Sequence, residues 1–274
     1  MMSGLPNARN AFLLGLMMAS ALWQNAAASD PVKTTGGGSF FEDFSTLNRG
    51  RWQVSNGWSG GPDQGCVWSA NNVKPIGKAM TLLLNNRRGG GKDFSCGEVQ
   101  SREAYGYGTY EVRMRPAAGI GIVSAFLSYT GPAQGAAQER WISIQFPGRD
   151  LKMLHLNFSA GSGPALRHNV NLKFDPSAAM NDYAFQWTPK SLRWFVNGEL
   201  VHTMDIGSAP RDASRPGKII VSLHNNIGEA QSAWLGRFEY DGQPLQTSYE
   251  YIAFTELGAP CPFPTSVVCK QPKP

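Results

Sequence analysis

The sequence has few charged residues and no long amphipathic helical pattern. Asp, Glu, Lys and Arg make up 16% of its 274 residues, whereas about a quarter is usual in soluble domains. Glycine and proline are abundant by contrast, with 31 and 18 residues, and aromatics reach 11%. Many turn formers without a helical period predict an all-β protein rather than a helical one.

Long basic runs and clustered metal-ligand spacings are also missing. The formal net charge is only +5, so we predict a solvated surface and no nucleic-acid partner. No CxxC pair or Cys/His cluster occurs, which argues against a zinc site. Apart from the N-terminus, no apolar stretch is long enough to cross a bilayer, so no membrane association is expected once that segment is removed.

The N-terminus has the pattern of a signal peptide. Arg9 precedes the apolar residues 11–22, and Ala26, Ala27 and Ala28 form a small-residue cleavage site. We predict that residues 1–28 are removed and that the protein is secreted or periplasmic. An uncleaved membrane anchor is the alternative.

The four cysteines agree with export, because an even number in an exported chain predicts disulfides. Three pairings are open from the sequence. We favour Cys66–Cys96, which would tie two early strands together, and Cys261–Cys269, which would close a small loop.

The chain divides into a polar leader (29–38), one domain (39–258) and a Pro-rich tail (259–274). Short candidate strands recur through the domain, and Asn197-Gly198 between two of them is a strong hairpin signal. Such a series predicts a sandwich or barrel. The candidate strands cover residues 80–85, 108–115, 121–129, 183–187, 192–196, 199–202, 218–223 and 248–254.

In the segment 140–148, apolar side chains alternate with mostly polar ones, as in a strand with one buried face. Ile142, Ile144 and Phe146 would point to the core, whereas Trp141, Ser143 and Gln145 would point to the other face. That second face is polar apart from the tryptophan, so we predict that it lines a groove.

Several stretches in one order resemble the bacterial β-1,3-1,4-glucanases of glycoside hydrolase family 16. The resemblance covers about 220 residues, from 41 to 258, and implies a jelly-roll β-sandwich with a concave glycan cleft. It also supports the Cys66–Cys96 pair, because the similar members have cysteines at the matching places. The matching stretches include Cys66-Val67-Trp68, Tyr105-Gly106-Tyr107-Gly108, Tyr129-Thr130-Gly131-Pro132, Tyr183-Ala184-Phe185-Gln186-Trp187 and Trp234-Leu235-Gly236.

In the family, the matching strand reads Glu-Ile-Asp-Ile-Glu-Phe and carries the nucleophile, a pKa-tuning Asp and the acid/base. Here Trp141, Ser143 and Gln145 stand at these three positions. An indole or an amide cannot replace a carboxylate as nucleophile or proton donor. The resemblance therefore predicts that this chain has the fold of the family but lacks its catalytic carboxylates.

Other groove positions are predicted from the same resemblance. Glu98 matches a family Glu that contacts sugar hydroxyls, and it would either do the same or pair with a nearby arginine. Trp141 would either stack on a sugar or plug the groove by packing on Trp234. The predicted substrate-binding residues are Glu98, Gln100, Trp141, Ser143, Gln145, Phe158 and His224.

No cofactor is predicted. Calcium is the one ion that the resemblance suggests, at a convex-face site that would include Glu250. We expect a polysaccharide partner, either a β-glucan or an exopolysaccharide, bound without hydrolysis. One alternative is an active endo-β-glucanase or transglycosylase that uses the relocated carboxylates Glu98 and Glu139. Another is a structural or assembly protein of an exopolysaccharide system, with a protein partner at the Pro-rich tail.

Overall fold

The computed structural model describes residues 37–131, 139–160, 165–207 and 215–270. The predicted signal peptide (1–28) and residues 29–36 of the leader therefore lie outside the described residues. Within the described ranges, no helix has the length and apolar content that crossing a membrane requires.

The described residues are mostly β-strand, joined by short turns. Helical structure is limited to a 3-10 turn (Ala70–Asn72), α1 (Glu229–Leu235) and α2 (Val267–Lys270). The strands are β1 (Phe40–Glu42), β2 (Trp52–Val54), β3 (Cys66–Trp68), β4 (Val73–Ile76), β5 (Ala79–Asn85), β6 (Phe94–Tyr105), β7 (Gly108–Arg115), β8 (Ile122–Thr130), β9 (Arg140–Pro147), β10 (Met153–Ala160), β11 (Leu166–Asn171), β12 (Asn181–Trp187), β13 (Ser191–Val196), β14 (Glu199–Asp205), β15 (Gly217–Asn225) and β16 (Leu245–Glu256).

The strands form two packed sheets. The front sheet has the order β11-β10-β9-β8-β15-β6, with β2 beside β6, and the back sheet has the order β5-β16-β7-β12-β13-β14. Strand β6 pairs with β15 in the front sheet and with β5 in the back sheet, so it joins the two. At the opposite side, His168 of β11 stacks on His202 of β14 with ring centroids 3.6 Å apart. The sandwich is thus nearly closed, as expected for the predicted jelly roll.

The core lies between the sheets and is rich in aromatic rings. Phe126 of the front sheet packs on Phe185 of the back sheet at 5.6 Å, and Phe146 packs on Tyr183 at 5.0 Å. Ile142, Ile144 and Phe146 are almost fully buried, which confirms the alternation predicted for β9. Side chains from both inner faces therefore interdigitate as in other sandwiches.

Both favoured disulfides form. Cys66–Cys96 ties β3 to β6, which run parallel to each other. Cys261–Cys269 closes the tail, which lies on the outer side of the back sheet. There the Ser266 hydroxyl and the Val267 backbone N–H both donate to the buried Glu111 carboxylate, at 2.6 and 2.9 Å. The described part of the tail, up to Lys270, is therefore docked on this sheet.

Candidate functional site

The outer side of the front sheet, which carries Trp141, Ser143 and Gln145, is called the groove face here. Directly opposed residues on antiparallel neighbours share a face. Gln145 lies opposite His155 and Ala125, Ser143 opposite Asn157 and Leu127, and Trp141 opposite Ser159 and Tyr129. The strand register thus brings residues of β8, β9 and β10 together on this face.

The centre of the groove face is a neutral hydrogen-bond network. The Asn157 amide N–H₂ donates to the Ser143 hydroxyl at 3.1 Å and to the Gln145 carbonyl oxygen at 3.3 Å. Ser143 is fully buried, and Gln145 is partly exposed. Hydroxyl and amide groups can donate and accept hydrogen bonds but supply no nucleophilic carboxylate. Asn157 is buried as well, so Gln145 is the one of these three side chains that a ligand on the groove face can reach.

Trp141 lies at the other end of β9 from Gln145, four residues or about 13 Å away along the strand. It is half-buried, and among the described ring contacts it has none with Trp234. Trp234 instead packs on His155, with centroids 5.4 Å apart, beside Leu235 of α1. The plug that was the alternative for Trp141 is thus not formed with Trp234, which supports an accessible indole face.

Glu98 lies on β6 opposite Ser222 of β15 and is only 6% exposed. The Ser55 hydroxyl and the Gln100 amide donate to the same carboxylate oxygen, at 2.6 and 2.7 Å. Burial raises the pKa of Glu98 to about 7, although these two bonds and the nearby Lys218 charge act in the opposite direction. Two neutral donors thus replace the arginine that was one of its expected partners.

His224 forms part of an aromatic wall beside Glu98. Its ring meets the edge of Trp68 at 5.8 Å, and Trp68 contacts Trp58 at 6.2 Å. The Nδ1 atom is buried and has no hydrogen-bond partner within the described ranges. Desolvation lowers the pKa of His224 to about 4, so the imidazole is uncharged at neutral pH. The ring therefore contributes an aromatic surface to this side of the groove and no positive charge.

The prediction that Phe158 faces the groove is wrong. Phe158 lies opposite Ile142 in the register of β9 and β10, is 3% exposed and belongs to the core. Alternation instead turns Asn157 and Ser159 outward. Matching by aromatic identity therefore missed Asn157, which strand alternation within 153–160 could have found.

Glu250 does not fit a calcium site. Its carboxylate pairs with the Arg113 guanidinium at 2.7 Å, and the same guanidinium pairs with Asp182 at 3.0 Å. Both carboxylates already pair with the Arg113 guanidinium, whereas calcium needs a set of about six to eight oxygen ligands. In the described part of the chain, no group of three or more His, Cys, Asp or Glu could hold a metal.

Comparison with known proteins agrees with this geometry. A sequence model described as "Glycosyl hydrolases family 16" matches residues 60–242. The β-glucanase of Bacillus subtilis (strain 168) is 39% identical over 226 residues, covering 80% of this chain and 87% of the relative. The endo-1,3-1,4-β-glycanase ExoK of Rhizobium meliloti (strain 1021) is 34% identical over 233 residues, covering 85% and 84%. The solved structure of a Bacillus licheniformis β-glucanase aligns with a TM-score of 0.72 at 38% identity, covering 81% of this chain and 100% of that one.

Proposed function

Because the chain belongs to glycosyl hydrolase family 16, we propose that it is an exported protein that binds a β-glucan or exopolysaccharide without hydrolysing it. Relatives that carry the names β-glucanase and endo-1,3-1,4-β-glycanase support the glucan class. The two disulfides support export. The observation that carries the proposal is that the neutral residues Trp141, Ser143 and Gln145 lie along β9 on the groove face.

The chemistry of the family requires two carboxyl groups on opposite sides of the scissile bond. They lie about 5–5.5 Å apart in retaining enzymes and about 6.5–9.5 Å apart in inverting ones. Along β8, β9, β10 and β15, no described position carries a carboxylate. Proton transfer by a positioned group contributes about 10²–10⁴-fold to rate, so losing both groups removes most of the catalysis.

In the alternative of relocated carboxylates, Glu98 and Glu139 would lie too far apart to act on one glycosidic bond. Glu98 lies in one row with Ser222, Ala125 and Gln145, so three strand spacings, roughly 14 Å, separate it from β9. Glu139 directly precedes β9, six residues before Gln145. The two acids are therefore separated by a distance of the order of 20 Å. The pKa of Glu98 near 7 suits a proton donor, but Glu98 lacks a second carboxyl within reach.

Calorimetric titration with mixed-linkage glucan and laminarin oligosaccharides tests the binding claim. Trp141→Ala should weaken binding roughly tenfold, because an indole that covers part of a sugar ring contributes about 1–2 kcal/mol. Phe41→Ala, at a 46% exposed ring on the back sheet, is the matched control and should leave affinity unchanged. Absence of binding to these glucans and to the host exopolysaccharide would remove the proposal.

A further inference from the structure

The two sheets meet along an open seam between β11 and β14, the outermost strands of the front and back sheets. In the described structure β11 pairs only with β10, and β14 pairs only with β13. His168 and His202 bridge the seam with nearly parallel rings, whose centroids lie 3.6 Å apart at an interplanar angle of 6°. We propose that this pair is a pH-sensitive clasp, which holds the seam closed at neutral pH and loosens it at acidic pH.

Both imidazoles point into the seam. His168 lies opposite Leu156 of β10, and His202 lies opposite Trp194 of β13, and both of these partners belong to the core. Directly opposed residues share a face, so the two imidazoles close the core at its open side. The Trp194 ring also contacts His202, with centroids 5.7 Å apart. His168 is exposed and His202 is half-buried, so protons from solvent can reach the pair.

The stack tolerates one proton but not two. A neutral ring can face a charged one, as it does in a cation–π contact. Two protonated imidazoles at 3.6 Å would instead place like charges in contact. Desolvation lowers the pKa of His202, and the charge of His168 lowers it further. Acid therefore acts against the stacked arrangement.

The side chains that face the pair from the neighbouring strands are apolar. The one other imidazole of these four strands, His155 of β10, lies on the groove face opposite Gln145. The inward-facing residues in the described part of these strands are Leu154, Leu156 and Phe158 of β10, Leu166 and Val170 of β11, Leu192, Trp194 and Val196 of β13, and Met204 of β14.

The charged side chains of the same strands lie on the outer faces or at strand ends. Arg167 lies opposite Asn157 on the groove face, and Arg193 faces outward from the back sheet. Glu199 and Asp205 are exposed at the two ends of β14, each three residues or about 10 Å from the clasp. Neither acid is therefore placed to offset a second proton on the pair.

The direction of the pH effect follows from the lowered pKa of His202. An unfolded histidine has a pKa of about 6.5, so the native pair binds protons less readily than the unfolded chain does. Its contribution to stability is present above about pH 6.5 and is lost as the pH falls through the lowered pKa of the folded state. Because β11 is largely exposed, we expect the seam to open before the core unfolds.

Hydrogen exchange at pH 7.5 and pH 5 tests the inference, with rates expressed as protection factors to remove the intrinsic pH dependence of exchange. The amides of β11 and β14 should lose roughly fivefold in protection at pH 5, the effect of two unit charges at this separation in a water-like dielectric. Amides of the central strands β7 and β12 should change less than about twofold. Equal protection of β11 and β14 at the two pH values would overturn the inference.

Variants separate the ring contact from its titration. His168→Phe keeps a ring in the stack and removes one proton site, so the seam should stay protected at pH 5. His168→Ala removes the ring and should lower protection at both pH values. His155→Gln removes an imidazole of the groove face and is the control, which should keep the pH dependence of the wild type. The inference is wrong if His168→Phe loses protection at pH 5 as the wild type does, or if His168→Ala changes nothing at pH 7.5.

Discussion

At the scale of single residues, Glu98 is the most unusual group in the groove, because its buried carboxyl meets only neutral hydrogen-bond donors. Its pKa is raised from 4.5 to about 7 by burial. The native state therefore holds the proton more tightly than the unfolded state does. The stability that follows is fully present below about pH 4.5 and is lost as the pH rises through about 7.

Glu98→Gln removes this titration. Raising the pH from 5 to 8 should lower the free energy of unfolding of the wild type by roughly 2 kcal/mol more than that of the variant. Urea unfolding at the two pH values measures the difference. Glu229→Gln, at an exposed residue of α1, is the control and should follow the wild type. Equal pH dependence of wild type and Glu98→Gln would show that Glu98 titrates normally.

Predictions for single residues were correct where they depended on the alternation of side chains along one strand. The period of two along β9 was enough to put Trp141, Ser143 and Gln145 on one face. Phe158 was misplaced because ring identity was followed instead of alternation. Ser55 donates to Glu98 across 43 positions of sequence, and no local pattern signals such a pair.

At the scale of elements, each predicted strand lies within a strand of the structure, apart from residue 121 at the start of one, but several strands, β6 among them, were not predicted. Eight of the twelve residues of Phe94–Tyr105 are buried, and they lie on both faces of the strand. A strand that joins two sheets has no solvent face, so its sequence lacks the alternation on which strand prediction depends.

The C-terminal tail docks on the back sheet around the buried carboxylate of Glu111. Glu111 is 3% exposed, and burial raises its pKa, while the bonds from Ser266 and Val267 act in the opposite direction. Val267 also packs on Ala184 and Phe195 of the back sheet. A buried carboxylate with two donors from one segment makes that segment sensitive to the loss of either.

Ser266→Ala leaves one Glu111 oxygen without its donor. The free energy of unfolding should fall by about 1–3 kcal/mol, the cost of an unsatisfied buried polar group. Urea denaturation measures this value. Ser45→Ala, at an exposed residue, should change stability by less than about 0.5 kcal/mol. A loss at Ser266 no greater than at Ser45 would mean that Glu111 does not hold the tail.

At the scale of the whole molecule, the groove depends on an order of strands that the sequence does not display. Residues from β6, β8, β9 and β15 share the groove face because distant strands become neighbours. The stacked pair His168 and His202 then brings the two free sheet edges together. The resemblance supplied this topology, whereas composition and periodicity alone led only to a sandwich or barrel.

The scaffold of the family is thus retained while the charges at its centre differ. The most direct test is reducing-end release by the purified protein at high concentration, from mixed-linkage glucan, laminarin and the host exopolysaccharide. The active Bacillus subtilis β-glucanase is the positive control, and Glu98→Gln is the matched variant. The structure predicts no release from either form of this protein. Release by the wild type that disappears in Glu98→Gln would contradict the account and mean that Glu98 belongs to a working catalytic site.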